Sequence, residues 1–207
     1  MWVLASIVLF VFILTRHLRR YTRQQKRQEK DFWDREARAN NVRRKPLDDL
    51  EYIRIPLERL PVTVMSDQED VRECLDILYT LAGQKILNLT GYTNTDLKLM
   101  YGTPNITELT TYDQNYTLLA RTLQKWASLL YQVGFLQETR TILEFALSTH
   151  TDVSQTYYTL AEIYASVGEP QRIRDLLATA QTLASVNRNA IVHKLQETYP
   201  KVCDDRA

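Results

Sequence analysis

Glycine is scarce in this sequence, with only five among 207 residues. Loops that bind phosphate groups use glycines to bring backbone amides close to the ligand, so the sequence offers little support for a nucleotide site. The two cysteines, Cys74 and Cys203, lie far apart and belong to no CxxC pattern. This spacing argues against a zinc site and a disulfide framework, and a reducing compartment is the simplest expectation.

The sequence also lacks the patterns that usually carry catalysis. It contains no HExxH or GxSxG segment, and its paired acidic residues lie in a proline-rich stretch and near the C-terminus. The histidines are widely spaced and are predicted to be ordinary surface residues: His17, His150 and His193. We therefore expect a protein that is not an enzyme and that has no cofactor or metal site.

Positive charge is concentrated in one stretch. Residues 16–45 contain 12 Lys and Arg against 4 Asp and Glu, whereas residues 46–207 contain 14 against 21. Residues 21–45 contain no Gly or Pro and are predicted to be a basic juxtamembrane helix. Because the basic stretch directly follows an apolar run, we expect it to contact anionic lipid headgroups and no nucleic acid.

The apolar run Trp2–Thr15 contains no charged residue. It predicts a transmembrane helix over residues 1–20, although the run rises only about 21 Å against a hydrocarbon core of roughly 30 Å. Arginine side chains that extend toward the interface make up the difference. A cleaved signal peptide is the alternative, but no basic residue precedes the run and no small-residue cleavage site follows it. The positive-inside rule then predicts a single-pass protein of the cell membrane, with its N-terminus outside and its body cytoplasmic.

The middle of the chain changes from proline-rich to helical composition. Residues 46–65 contain three prolines among regularly placed Leu and Ile, which predicts an extended strap along a helical body. A capping box at Ser66–Glu69 opens residues 66–112, which are predicted to be N-terminal capping helices. The polar residues 201–207 are predicted to be a disordered tail.

Two copies of one helical hairpin are predicted within residues 113–200. Large and small residues recur 34 positions apart in the pairs Leu123/Tyr157, Trp126/Leu160, Ala127/Ala161, Leu130/Tyr164, Gly134/Gly168, Leu143/Leu177 and Ala146/Ala180. Helices that cross closely need small residues at the crossing, and glycine suits the end of the first helix. A last helix capped by Asn187 would cover the end of the array.

This pattern resembles the tetratricopeptide repeat (TPR) family, although Thr139 and Ile173 stand where the family usually has alanine. In that family the first helix of each unit lines a groove that takes an extended peptide or a partner helix. The resemblance therefore implies a protein-binding face made of Arg121, Gln124, Lys125, Ser128, Tyr131, Gln132, Gln155, Tyr158, Thr159 and Glu162. Ser128 and Glu162 replace asparagines with which some members grip a C-terminal carboxylate, so the resemblance does not imply that activity.

The predicted fold is all-α, with an N-terminal transmembrane helix followed by a TPR-like α-α superhelical domain. The predicted function is that of a membrane-anchored cytoplasmic adaptor, or scaffold, that binds a partner protein through its groove. Tethering would raise the effective concentration of that partner at the membrane. Two alternatives stay open. The chain could belong to a membrane complex, as a non-catalytic subunit or as an enzyme completed only there, or it could be a secreted helical domain if the N-terminal run is cleaved.

Overall fold

The chain folds into helices joined by turns and coil. A computed structural model describes the backbone of residues 2–203 and the side chains of residues 14–202. No strand occurs in the backbone so described, which confirms the prediction of an all-helical protein. The helices are α1 (Trp2–Asn40), α2 (Glu69–Ala82), α3 (Asn94–Tyr101), α4 (Ile106–Val133), α5 (Leu136–Ser148), α6 (Ser154–Ser166), α7 (Pro170–Gln181), α8 (Arg188–Thr198) and α9 (Pro200–Cys203).

The predicted transmembrane helix over residues 1–20 is wrong. Among the residues that the structure describes, no helix is long and apolar enough to cross a membrane. The charge-free run Trp2–Thr15 is shorter than the roughly 20 apolar residues that a spanning helix needs. Beyond it α1 continues without a break into the basic stretch. The side chains before Leu14 lie outside the described residues.

Contacts between residues divide the chain into two compact units. The first contains the residues up to Leu47 together with Thr93–Ile106, and the second contains Asp48–Tyr92 together with the residues from Thr107 onward. The first unit is therefore built around α1 and α3. The second contains α2, nearly all of α4, and α5 to α9. Residue 112, the predicted end of the capping helices, lies inside α4.

In the first unit, the C-terminal part of α1 packs against α3 through polar side chains. The hydroxyl of Thr95 donates a hydrogen bond to the carboxylate of Glu36, and the ammonium of Lys98 lies 3.1 Å from the same carboxylate. Together these contacts hold the pKa of Glu36 below its usual range. A second ion pair joins Arg35 to Asp96 at 2.5 Å. The first unit thus depends on charged contacts more than on an apolar core.

Residues close in sequence define both ends of helix α3. Thr93 and Asp96 form a capping box at its start, in which each side chain bonds the backbone amide of the other residue. At its end, Gly102 has a φ of 90°. A β-carbon on Gly102 would lie 2.2 Å from the carbonyl oxygen of Arg43. Glycine is therefore required there by conformation and by space.

Two hairpins form the centre of the second unit, α4 with α5 and α6 with α7. Helix α5 begins at Leu136 and α7 begins 34 residues later at Pro170. Gly134 and Gly168 lie just beyond the first helix of each hairpin, with φ values of 90° and 72°. In both hairpins the next backbone amide donates to the carbonyl oxygen five residues back, at 3.0 and 2.9 Å. The same turn geometry therefore recurs at the predicted 34-residue offset.

The paired apolar positions of the two hairpins are buried in one core. Trp126 and Tyr157 are among its largest fully buried side chains, and Ala127 and Ala161 are also completely buried. Thr139 is buried as well, and its hydroxyl donates to the backbone carbonyl four residues back at 2.8 Å, so no unpaired polar group results. The same core contains Leu119, Leu123, Leu130, Ile142, Leu143, Ala146, Leu160, Tyr164, Ile173, Leu177 and Ala180.

Residues 46–65 contain no helix, and part of this stretch lines the core of the second unit. Ile55 and Leu60 are buried there. The backbone amide of Ile53 donates to the carbonyl oxygen of Ile86 at 2.9 Å. Turns interrupt the stretch, since the amides of Arg59 and Val64 donate to the carbonyl oxygens of Pro56 and Pro61 at 2.9 and 3.0 Å, so it is not extended throughout as predicted.

Helix α2 begins differently from the prediction. Its N-cap is Gln68, whose side chain makes no capping bond, so the capping box expected at Ser66 is wrong. The helix buries one apolar face, made of Val71, Cys74, Leu75, Leu78 and Leu81, and Cys74 is 1% exposed. Burial raises the pKa of the Cys74 thiol, so this sulfur is unreactive core.

The C-terminal helices follow the second hairpin. Helix α8 begins after Asn187, as predicted, but the Asn187 side chain makes no capping hydrogen bond to it. The helix buries Ile191 and Leu195. Helix α9 occupies the start of the segment predicted as a disordered tail. Residues 204–207 of that segment lie outside the described residues.

Candidate functional site

Helices α4 and α6 lie side by side and carry the predicted binding residues. The hydroxyl of Tyr131 donates to Glu162 Oε2 at 3.0 Å, and the hydroxyl of Thr156 donates to Gln124 Oε1 at 2.9 Å. Both bonds connect the two helices. The eight principal predicted residues are all exposed or half-buried: Arg121, Gln124, Lys125, Ser128, Tyr131, Gln155, Tyr158 and Glu162.

Part of the predicted face is used to join the helices. Gln124 accepts from Thr156, and its Nε2 donates to Ser128 Oγ at 3.2 Å. On α6, Gln155 donates to Thr159, which is buried, at 3.0 Å. These amide side chains therefore have partners within the protein. Gln124 helps to position α4 against α6, whereas the bond of Gln155 lies within α6 and leaves this side chain exposed.

Lys125 is also engaged within the protein. Its ammonium lies 3.1 Å from Asp70 and 3.1 Å from Glu73, both on α2. The hydrogen bonds to Glu73 and Asp70 raise the pKa of Lys125. Because all three side chains are exposed, these ion pairs add little stability. They nevertheless make Lys125 a weaker candidate for binding than Arg121, which is exposed one helical turn earlier.

A groove of about 260 Å³ runs between α6 and the C-terminal end of α8. Its first wall consists of Gln155, Tyr158 and Glu162, three of the residues predicted to bind a partner. The opposite wall consists of Lys194, Leu195, Thr198 and Tyr199. This second wall was not predicted, because the last helix was expected only to cap the array. The spacing of Leu195 and Tyr199, one helical turn apart, is the sequence feature that could have indicated it.

The groove contains one cation whose charge is not neutralised by an ion pair. Lys194 is exposed and forms no ion pair with the described residues. Glu162, on the other wall, accepts the hydrogen bond from Tyr131 through one carboxylate oxygen. Burial, and then the nearby carboxylate of Glu162, raise the pKa of both Tyr131 and Tyr199. Both phenols are protonated near neutral pH, and that of Tyr131 donates to Glu162.

The size of the groove limits what it can hold. Its volume of about 260 Å³ is below the roughly 300–1,000 Å³ typical of small-molecule sites. Tyr158 and Tyr199 give it apolar surface, and Leu195, which is only 1% exposed, lies at its base. Lys194 and Glu162 place one charge of each sign on opposite walls. This combination suits one or two side chains of a bound peptide and the backbone between them. No group of His, Cys, Asp and Glu that could hold a metal ion occurs among the described residues.

The groove and the repeated hairpins have no counterpart in the comparisons with known proteins. Membership of the TPR family therefore stays a prediction from the residue pattern. No protein-family model, no curated protein and no solved structure matches this chain.

Proposed function

We infer that this protein is a non-enzymatic binding protein that captures a short segment of a partner protein in the groove between α6 and α8. The observation that carries this proposal is the groove itself. It combines apolar surface from Tyr158 and Tyr199 with the cation of Lys194, which forms no ion pair with the described residues. The resemblance to the TPR family supports the same face, because α6 is the first helix of its hairpin.

The charges define the chemistry of the segment that would fit. An acidic side chain would pair with Lys194, since this cation is exposed. A backbone amide of the peptide would donate to Glu162, whose other carboxylate oxygen already accepts from Tyr131. An apolar or aromatic side chain between them would lie on Tyr158 and Tyr199. We therefore propose a partner segment with one acidic and one apolar residue close together in sequence.

A display library of short random peptides, selected on the full-length protein, tests this specificity. The wild-type protein should enrich peptides that combine an acidic with an apolar residue. The variant Lys194→Glu should enrich basic residues at the acidic position, because the charge on that wall is reversed. Lys201→Glu makes the same change in net charge outside the groove and should leave the selected sequences unchanged.

Three outcomes would reject the proposal. The first is that wild-type protein enriches no sequence pattern. The second is that Lys194→Glu and Lys201→Glu alter the selection alike, which would assign the effect to overall charge. The third is a selection that survives Lys194→Glu but depends on residues 46–65, which would place binding on the strap, outside the groove.

A further inference from the structure

Helix α1 carries its positive charge along one side. Successive residues of a helix are separated by about 100° around the axis. On that geometry the cationic side chains of its middle part fall within an arc of about 120°. They form a set that we call the basic stripe, namely Arg16, Arg19, Arg20, Arg23, Lys26, Arg27 and Lys30.

The basic stripe is not neutralised within the described part of the protein. No acidic residue precedes Glu29 in the sequence. None of the stripe residues forms an ion pair with another described residue. Every residue from Leu14 to Arg35 is exposed. The charge of the stripe is therefore open to solvent and accessible to an external anionic surface.

We propose that the basic stripe binds the anionic surface of a phospholipid membrane. From Arg16 to Lys30 the stripe is about 21 Å long and lies on one side of an uninterrupted helix, so its charges can approach one flat surface. Each basic residue held at an anionic bilayer strengthens adsorption by roughly fivefold. Binding of this kind requires no helix that crosses the bilayer, and it is separate from the groove in the second unit.

The neighbouring sequence favours lipid over nucleic acid. The uncharged run Trp2–Thr15 ends directly before Arg16. A membrane presents apolar material beside its charged headgroups, whereas nucleic acid attracts the same cations but has no comparable phase for such a run. The exposed apolar residues Leu14, Leu18 and Tyr21 lie on the side of α1 opposite to the stripe. Charge, rather than insertion of these three side chains, therefore carries the contact.

Vesicle partitioning of the full-length protein tests the proposal. We would compare phosphatidylcholine vesicles with vesicles that also contain phosphatidylserine, and use the ratio of the two partition coefficients. This ratio cancels any contribution of the apolar run that does not depend on lipid charge. For wild-type protein at low salt, the ratio should be at least about 10. It should approach one when the ionic strength rises from about 0.05 to about 0.5 M, because salt screens the attraction.

Three variants distinguish binding by the basic stripe from a general effect of net charge. Replacing Arg19, Arg20 and Arg23 by Gln should lower the ratio at least tenfold, whereas replacing the same residues by Lys should preserve it. The matched control replaces Arg54, Arg72 and Arg188 by Gln, which removes the same charge from exposed positions outside α1 and should change the ratio less than twofold.

Several results would overturn the proposal. A wild-type ratio near one, an equal loss in the Arg54, Arg72 and Arg188 control, or a loss on replacement by Lys would each do so. Duplex DNA is the competing polyanion. If the Arg19, Arg20 and Arg23 variant loses binding to a DNA duplex while its vesicle ratio is unchanged, the stripe is a nucleic-acid contact instead.

Discussion

The hydroxyl of Tyr131 in α4 lies 3.0 Å from Glu162 Oε2 in α6, across a separation of 31 residues. This bond holds the first helices of the two hairpins in register on the face that borders the groove. Tyr158, one helical turn before Glu162 on α6, is half-buried against the core and lines the groove. Tyr131 and Tyr158 therefore give a direct way to separate binding from folding.

Replacing Tyr131 and Tyr158 together by Ala should weaken binding of a selected peptide by at least about 2 kcal/mol, the scale of an interface hot spot. Mean helicity should stay nearly unchanged, because neither side chain is fully buried. Isothermal calorimetry and circular dichroism on the same samples measure the two effects. Tyr164→Ala is the control, because Tyr164 is 2% exposed. This substitution should lower the free energy of unfolding before it affects peptide binding. Normal peptide binding by the double variant would show that this face is only solvated surface.

Trp126→Ala should lower the free energy of unfolding by about 3–5 kcal/mol, because the indole is completely buried in the core. The indole N–H of Trp126 has no hydrogen-bond partner in the described structure. Trp126→Phe, which removes this unpaired donor and keeps much of the ring, should therefore cost clearly less. Urea denaturation of both variants measures the difference. A loss below about 1 kcal/mol for Trp126→Ala would contradict the burial of this side chain.

Stability should fall at alkaline pH because of two core tyrosines. Burial raises the pKa of Tyr157 and Tyr164 well above the usual value near 10. Their protonated forms are thus favoured in the folded state, so the stabilisation is complete below pH 10. It is lost as the pH rises from 10 toward the folded pKa, since the unfolded chain releases these protons first. Between pH 10 and pH 11, the two residues together should lower the free energy of unfolding by about 2 kcal/mol.

Urea denaturation at pH 8, 10 and 11 measures this effect of pH. The matched variant replaces both residues by Phe, which removes the titrating groups while keeping the rings. It will be less stable at pH 8, because the hydroxyls donate to the carbonyl oxygen of Thr151 and to Glu144 at 2.9 Å each. Between pH 10 and pH 11, the free energy of unfolding of this variant should nevertheless fall less than that of the wild type. An equal decline would show that other groups cause the alkaline loss.

Gly102→Ala and Gly134→Ala form a matched pair of substitutions. Both glycines have a φ of 90°, so both substitutions impose backbone strain of about 1–2 kcal/mol. At Gly134 a new β-carbon meets no atom within 4 Å, whereas at Gly102 it would lie 2.2 Å from the Arg43 carbonyl oxygen. Gly102→Ala should therefore be the more damaging change, and limited trypsin digestion should cut sooner around α3 in that variant. Equal cleavage rates in the two variants would mean that backbone strain alone, without the clash at Gly102, determines the loss of stability.

The sequence predicted best those features that depend on near neighbours or on the 34-residue period. Gly134 and Gly168 end helices because their local turns need positive φ, and the buried partners of Trp126 follow from periodicity. The prediction of a capping box at Ser66 was wrong because α2 begins only at Glu69, so Ser66 does not precede its first turn directly. The pairing of Lys125 with Glu73 joins residues 52 positions apart, and no local pattern specifies it.

The groove shows the same limit. Gln155, Tyr158 and Glu162 could be placed on one helical face from their spacing alone. Lys194 and Tyr199 reach that face only because the turn after α7 returns α8 onto α6, and the direction of that turn is not encoded in a periodic pattern. The transmembrane prediction failed for a different reason. It relied on neighbouring polar residues to lengthen an apolar run that is too short by itself.

Helix α8 has only 11 residues, fewer than the roughly 12–15 at which an isolated helix becomes even marginally stable in water. It keeps its form because Ile191 and Leu195 are buried against the rest of the second unit. Since α8 is also one wall of the groove, a bound peptide would make contacts that exist only while this helix is docked. Slower hydrogen exchange at the backbone amides of α8 would then accompany binding, and in the free protein these amides would be among the first to open.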